Sequence, residues 1–198
     1  MEQPVQPSSV PPQESPKPHS SFSSELRHWV RDLLIPFALL LVIIVFLYQP
    51  VKVEGTSMAP LLSDQERIFI NKFVYRFEPI ERGDVVVFWY PLDRSKSFIK
   101  RVVGLPGETV EIRYGHVFVN GAQLTEAYVP RQFADSMSYL PVTVPEGHYF
   151  VLGDHRNSSN DSRVFGAVHE RFIYGKAVFA YWPWQRFGAL VARGTDVE

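Results

Sequence analysis

A run of uncharged apolar residues from Leu33 to Tyr48, LLIPFALLLVIIVFLY, sets the strongest limit on what this chain can become. Nothing polar gives the run a second face, which disfavours a buried core helix and favours a membrane helix. Its length of about 16 residues is slightly short of the roughly 20 that span a bilayer, and Trp29 and Tyr48 suit the two interfaces. The run is expected to be retained rather than cleaved, because Gln49-Pro50-Val51-Lys52-Val53-Glu54 follows it without a small-x-small pattern. Arg27 and Arg31 precede the run and only Lys52 follows closely, so the N-terminus is expected in the cytoplasm and the C-terminal part outside. The expectation is a single-pass protein of the cytoplasmic (inner) membrane.

Three domains follow. Residues 1–28 read as a disordered cytoplasmic tail, with Pro4, Pro7, Pro11, Pro12, Pro16 and Pro18 set among Ser and Gln. Residues 29–50 are the transmembrane helix, and residues 51–198 an extracytoplasmic β-rich domain. Hydrophobic residues make up 45% of the 198, enough for one compact unit with a core and room for a subdivided sheet. The formal net charge of -1, with no basic run, argues against nucleic acid as a partner. The chain has no cysteine, which excludes disulfides, thiolate metal sites and a cysteine nucleophile.

Beyond the apolar run the sequence reads as short strands punctuated by Gly and Pro. These are Val51–Val53, Arg67–Ile70, Asp84–Trp89, Phe98–Val103, Val110–Ile112, His148–Leu152 and Tyr174–Trp182. Asn120-Gly121 fits a tight hairpin turn inside Val117–Leu124. The fold class is therefore mainly β, an antiparallel sheet domain behind one N-terminal helix. Residues 125–146 are irregular and read as an insertion or an extended loop. Trp182, Trp184 and Phe187 suit ordinary core packing better than a bilayer surface, although indole rings favour both.

Two stretches carry candidate chemistry. In Gly55-Thr56-Ser57-Met58-Ala59-Pro60 a serine sits in a turn-prone segment just after the apolar run, with little to do as a core residue. In Phe98-Ile99-Lys100-Arg101-Val102-Val103-Gly104 a lysine sits inside an apolar strand. Burial disfavours its ammonium form and lowers its pKa, which is how a lysine becomes a base for a hydroxyl. A shift from about 10.4 to roughly 7–8 corresponds to about 3–5 kcal/mol of differential solvation, with Phe98, Ile99 and Met58 as sources. A third stretch, Gly153 to Arg163, is polar throughout, follows a strand and is able to supply supporting hydrogen bonds.

Taken in order, Ser57–Pro60, Arg82–Phe88, Lys100–Glu108 and Gly153–Arg163 resemble the motif boxes of bacterial type I signal peptidases, behind a membrane helix as in that family. The resemblance covers roughly Leu33 to Phe179. It implies a membrane-anchored serine endopeptidase that cuts signal peptides from exported preproteins, with Ser57 as nucleophile, Lys100 as general base and no cofactor or metal. It further implies that Ser159 hydrogen-bonds the lysine, that Asp161 and Arg163 form a supporting ion pair, and that Asp154 and Arg156 are structural. Small apolar pockets for the first and third residues before the cut, contact with the lipid bilayer and a monomeric state belong to the same expectation. His155 and Ser158 depart from the commonest family pattern. Gly55 stands where some members have a serine that donates to the oxyanion, so the Ser57 N–H is the expected donor and the second is open.

Rival readings are weaker. Ser97-x-x-Lys100 is a bare penicillin-binding motif, but on a strand its two side chains point to opposite faces. A Ser57/His155/Asp154 triad has poor geometry with His and Asp adjacent on one loop. A calcium loop over residues 154–163 would put the cation Arg156 at a ligand position. A membrane-tethered β-domain that binds exported chains without cutting them is the alternative from another class, and the self-cleaving cytosolic repressors are the nearest enzyme alternative.

Overall fold

The computed structural model describes residues 22–190. The expected disordered tail lies outside the described residues as far as residue 21, and the chain end beyond residue 190 lies outside them as well. Helix α1 spans Phe22–Leu47 and includes Pro36. It begins earlier than the expected boundary at Trp29, since no proline interrupts residues 22–28. It stops at Leu47 because Pro50, which cannot donate and restricts Gln49, takes the chain into an extended conformation. Tyr48, Gln49 and Pro50, expected within the helix, instead open the first strand. The large side chains described on α1, from Leu33 to Val42, are exposed. Among the described residues no helix is long and apolar enough to cross a membrane. The chain divides into two compact units at Ile43/Ile44, and the rest of the description concerns the second.

That unit is built from antiparallel strands. In chain order they are β1 (Tyr48–Lys52), β2 (Arg67–Asn71), β3 (Val85–Tyr90), β4 (Asp93–Gly104), β5 (Thr109–Arg113), β6 (His116–Val119), β7 (Ala122–Gln123), β8 (Tyr139–Thr143), β9 (His148–Leu152), β10 (Val168–His169), β11 (Ile173–Trp182) and β12 (Gly188–Ala189). A short helix, α2 (Ser162–Phe165), lies between β9 and β10. The larger sheet has the order β1-β2-β11-β3-β4-β9-β10, with β12 paired to β11; the smaller has the order β7-β6-β5-β8.

The alternation expected of half-buried strands holds at the rim and gives way to continuous burial at the centre. Val85 to Phe88 of β3 and Lys100 to Gly104 of β4 are buried on both faces. Val85 and Val87 pack with Met58, Leu62, Ile68 and Ile70, whereas Val86 and Phe88 pack with Val102, Tyr149 and Val151. A third cluster, around Val103, Val110, Val117, Phe150 and Leu152, joins β4, β9 and the smaller sheet. Asn120 and Gly121 have φ of 51° and 85°, the left-handed pair that the tight hairpin requires.

Two expectations need correction. The stretch 125–146 contains β8, which pairs with β5 at one edge of the smaller sheet. Pro141 masks it in the sequence, since a proline is tolerated only where the strand has a free edge. Trp182, Trp184 and Phe187 are exposed rather than packed in the core.

Candidate active site

Ser57 is carried by a turn that leaves β1. The backbone continues past Lys52 by pairing, with Val53 N donating to Glu66 O at 2.7 Å, and then breaks at Gly55, whose φ of +88° suits glycine. Asp64 Oδ1 accepts the Gly55 N–H at 2.8 Å. This bond holds the Asp64 carboxyl below its ordinary range. The turn closes with Ala59 N donating to Thr56 O at 2.9 Å and Leu62 N to Met58 O at 2.9 Å. Met58 and Leu62 are sunk into the core beneath it, which leaves Ser57 at the surface of a cleft.

Lys100 comes from the middle of β4, 4% exposed. Its Nζ lies 2.7 Å from Ser57 Oγ and donates to Ile99 O at 2.9 Å. The Phe98 ring centroid is 5.3 Å from the same nitrogen. Burial pushes the lysine down to about 8, against the opposing pull of Asp161 and Asp154, neither of which forms an ion pair with it. When neutral the amine is a proton acceptor for the hydroxyl, and when charged it is a donor to it.

The cleft beside the pair has a volume of about 460 Å³. Residues 51–58 form one wall, Val87 and Ser97 to Lys100 the other, with Ser158 and Asn160 at the end. Across β4, Ser97 to Ile99 pair with β3, while pairing with β9 starts only at Arg101. The free edge of residues 97–99 therefore faces the cleft, and an extended peptide is the ligand such an edge accepts.

The polar stretch 153–163 forms a floor of paired charges. Asp154 receives both Arg101 Nε and Nη2, at 2.8 and 2.7 Å, with both side chains 1% exposed. Burial lowers the Arg101 pKa and the Asp154 carboxylate more than offsets it, so the guanidinium stays above its ordinary value. Asp161 pairs with Arg163 at 2.8 Å and accepts the Gly153 N–H at 3.1 Å. Arg163 also binds Asp135 at 2.5 Å. Arg156 donates to Gly153 O and pairs with Glu126 rather than with Asp154. A Cβ on Gly153 would stand 2.5 Å from Ser57 O and 2.6 Å from Ser159 Cβ, so only glycine lets this floor approach the serine.

Of the residues singled out in the sequence, Ser57 and Lys100 come together, and Asp161 meets Arg163. The hydrogen bond expected from Ser159 to the lysine is not formed: Ser159 Oγ is buried without a partner, while Lys100 Nζ is occupied by Ser57 and Ile99. The Gly55 N–H is taken by Asp64, so it is not the second oxyanion donor. No Ser/His/Asp triad is assembled, because Asp154 is held by Arg101 and His155 faces the Thr56 carbonyl. Sequence reasoning missed Arg101, Glu126, Tyr128 and Asp135, which complete the floor; the Tyr128 ring lies 4.0 Å under the Arg101 guanidinium. The only signal was arithmetic and easily misread. Two Asp and two Arg within 153–163 look self-neutral, and nothing announces that Arg101 claims one of the acids. No group of three or more His, Asp or Glu residues able to hold a metal occurs among the described residues.

The family model for signal peptidase, peptidase S26, matches residues 26–182. The chain is 40% identical over 165 residues to signal peptidase I of Bacillus amyloliquefaciens, covering 78% of this chain and 84% of that one. It is 39% identical over 168 residues to the probable signal peptidase I-1 of Synechocystis sp., covering 80% and 83%. To signal peptidase IB of Staphylococcus aureus it is 34% identical over 179 residues, covering 82% and 93%. A crystal structure of a signal peptidase I from Enterococcus faecalis aligns at 35% identity with a TM-score of 0.45, over 50% of this chain and 97% of that one.

Proposed function

We propose, because the chain belongs to the signal peptidase family, peptidase S26, that its removal of signal peptides as a serine endopeptidase runs through a Ser57/Lys100 dyad. One observation carries the reading: a buried lysine, lowered to about 8, placed 2.7 Å from a serine hydroxyl in a peptide-sized cleft.

Neutral Lys100 takes the Ser57 hydroxyl proton as Oγ bonds to the scissile carbonyl carbon. The Ser57 N–H stabilises the resulting oxyanion, a contribution of about 3–4 kcal/mol for one well-placed donor. The C–N bond breaks, and the lysine ammonium returns its proton to the leaving amine. A water then gives a proton to Lys100 as it attacks the ester, the C–Oγ bond breaks, and the ammonium returns that proton to Ser57 Oγ, releasing the signal peptide with a new carboxyl terminus. Asp161, Arg163, Asp154 and Arg156 hold the floor that sets the dyad's approach. Asp154 acts through Arg101 and Arg156 through Glu126. Ser159 has a free hydroxyl able to support the lysine when Ile99 O releases it. Val51 and Ile99, partly exposed along the cleft, offer apolar surface for small side chains before the cut, with Val53, Met58 and Val87 buried behind them.

The site requires no cofactor. Anchoring belongs to α1, whose apolar side chains from Leu33 to Val42 are exposed, a surface that suits lipid better than water. The exposed Trp182, Trp184 and Phe187 suit the headgroup region of the same bilayer. The catalytic unit then works as a monomer on the outer side of the cytoplasmic membrane, with the tail inside, on exported preproteins.

Purified wild type, Ser57→Ala and Lys100→Ala, in detergent or lipid, are to be compared for cleavage of a secretory preprotein by gel and mass spectrometry. A single cut lost in both variants with folding intact is the expected result. A Ser57→Ala protein that still cuts overturns the dyad. Release from membranes by alkaline carbonate, or failure of external protease to reach residues 51–190 in intact spheroplasts, overturns the anchoring.

A further inference from the structure

We infer that His155 is a positioning residue that aims the oxyanion-binding N–H of Ser57. The inference rests on the proposed role of Ser57. His155 follows Asp154 on the floor and reaches the nucleophile turn twice. Its backbone N–H donates to Ser57 O at 3.1 Å, and its ring Nδ1 lies 3.1 Å from Thr56 O. A carbonyl oxygen only accepts, so Nδ1 carries the proton in this contact whether the ring is neutral or charged. The ring also packs edge-to-face with Phe133, with centroids 4.5 Å apart and planes at 72°, which limits the rotation of the imidazole.

The consequence follows from the geometry of one peptide unit. Thr56 C=O and Ser57 N–H belong to the same planar trans peptide and point in opposite directions. Anchoring the carbonyl on His155 therefore directs the N–H away from His155. Thr56 O also accepts from Ala59 N at 2.9 Å within the turn, and the imidazole takes its second lone pair. Two donors on one oxygen leave the peptide plane little freedom to rock. The backbone bond from His155 N to Ser57 O does not depend on the side chain, so substitution isolates the ring's share.

A donor used only by the tetrahedral intermediate affects kcat and leaves substrate binding alone. Complete removal of an oxyanion donor costs about 10²–10³ in kcat, and here the donor remains but is less firmly aimed, so a loss of about tenfold is expected. The test is kcat and KM for preprotein cleavage by the full-length protein in lipid, for wild type, His155→Phe, His155→Asn and Ser57→Ala. Phe keeps the aromatic contact with Phe133 and removes the donor; the Asn amide occupies the place of Nδ1. The expected result is kcat about tenfold lower in His155→Phe with KM within about twofold, and most of the loss recovered in His155→Asn. The affinity of a peptide aldehyde, which binds as a hemiacetal, falls in parallel with kcat. Wild-type kcat in His155→Phe, a loss confined to KM, or equal impairment of Phe and Asn overturns the inference while Ser57→Ala remains dead. Cleavage by Ser57→Ala instead overturns the dyad, and the inference with it. Should the Phe variant fail to fold, His155→Gln serves the same purpose: its amide lies one bond too far, so Gln impaired and Asn active is the expected pattern.

Discussion

Lys100 and Arg101 are adjacent residues of one strand, both buried and both cationic in water, yet they end in opposite chemical states. As successive strand residues they project to opposite faces of β4. On one face Lys100 meets a hydroxyl, a carbonyl and an aromatic ring, and its pKa falls to about 8. On the other, Arg101 meets the two oxygens of Asp154 and the Gly83 carbonyl, and its charge is locked in. Burial alone does not decide whether a cation survives; the partner does. The protein spends its carboxylates on one face and withholds them from the other.

The largest effect comes from exchanging the two states. Lys100→Arg, which cannot deprotonate near neutral pH, is expected to reduce preprotein cleavage at least about 10³-fold while the fold persists, as seen by circular dichroism. Residual activity close to wild type would break the comparison. Next comes Asp154→Ala, which strands Arg101: a loss of about 3–5 kcal/mol in denaturant unfolding is expected. Replacing both members, Arg101→Met with Asp154→Leu, is expected to recover much of that stability, because the pair itself is worth far less than its broken half.

A smaller and more pointed effect is the pH dependence. Activity should rise with pH as Lys100 loses its proton near 8, leaving about one-tenth of the enzyme in the active form at pH 7. Stability moves in a defined direction too. Because the folded pKa lies below the unfolded 10.5, the unfolded chain binds more protons between about pH 8 and 10.5. The cost of burying the ammonium is fully present below about 8 and is relieved as pH rises to 10.5. The stability advantage of Lys100→Met over wild type is accordingly expected to shrink across that window in thermal melts. The smallest effect is Ser159→Ala: removing a buried hydroxyl without a partner should leave unfolding stability unchanged or raise it by up to about 1 kcal/mol, and change kcat by only a few-fold.

Most strand positions were legible because their β-branched runs end at Gly or Pro, and the hairpin at Asn120-Gly121 was read from two residues. Ser57 and Lys100, which the structure brings together, stand out in the sequence because each is out of place locally, a serine with no core role and a lysine in an apolar strand. Pairings across long sequence separations were not legible. Glu126 and Asp135 sit in a stretch without hydrophobic period, and only their capture by Arg156 and Arg163 gives that stretch a purpose. His155 looked like a departure from a motif, and the carbonyl it holds belongs to Thr56, far away in the chain.

The pairing of β4 with its neighbours also makes the chain's tolerance of insertions lopsided. Lys100 stands opposite Val86, and Arg101 opposite Val85 and Leu152. A slip of one residue from an upstream insertion would present Lys100 to Asp154 and Ile99 to Ser57, taking the base away from the nucleophile without altering a single side chain. An added residue in the 91–96 hairpin must therefore be absorbed before β4 reaches the cleft, and the register shift between Trp89 and Tyr90 is where the ladder already departs from strict pairing. Drift in loop length among descendants of such a protein should be free in multiples that this irregularity can swallow, and lethal wherever it reaches Lys100.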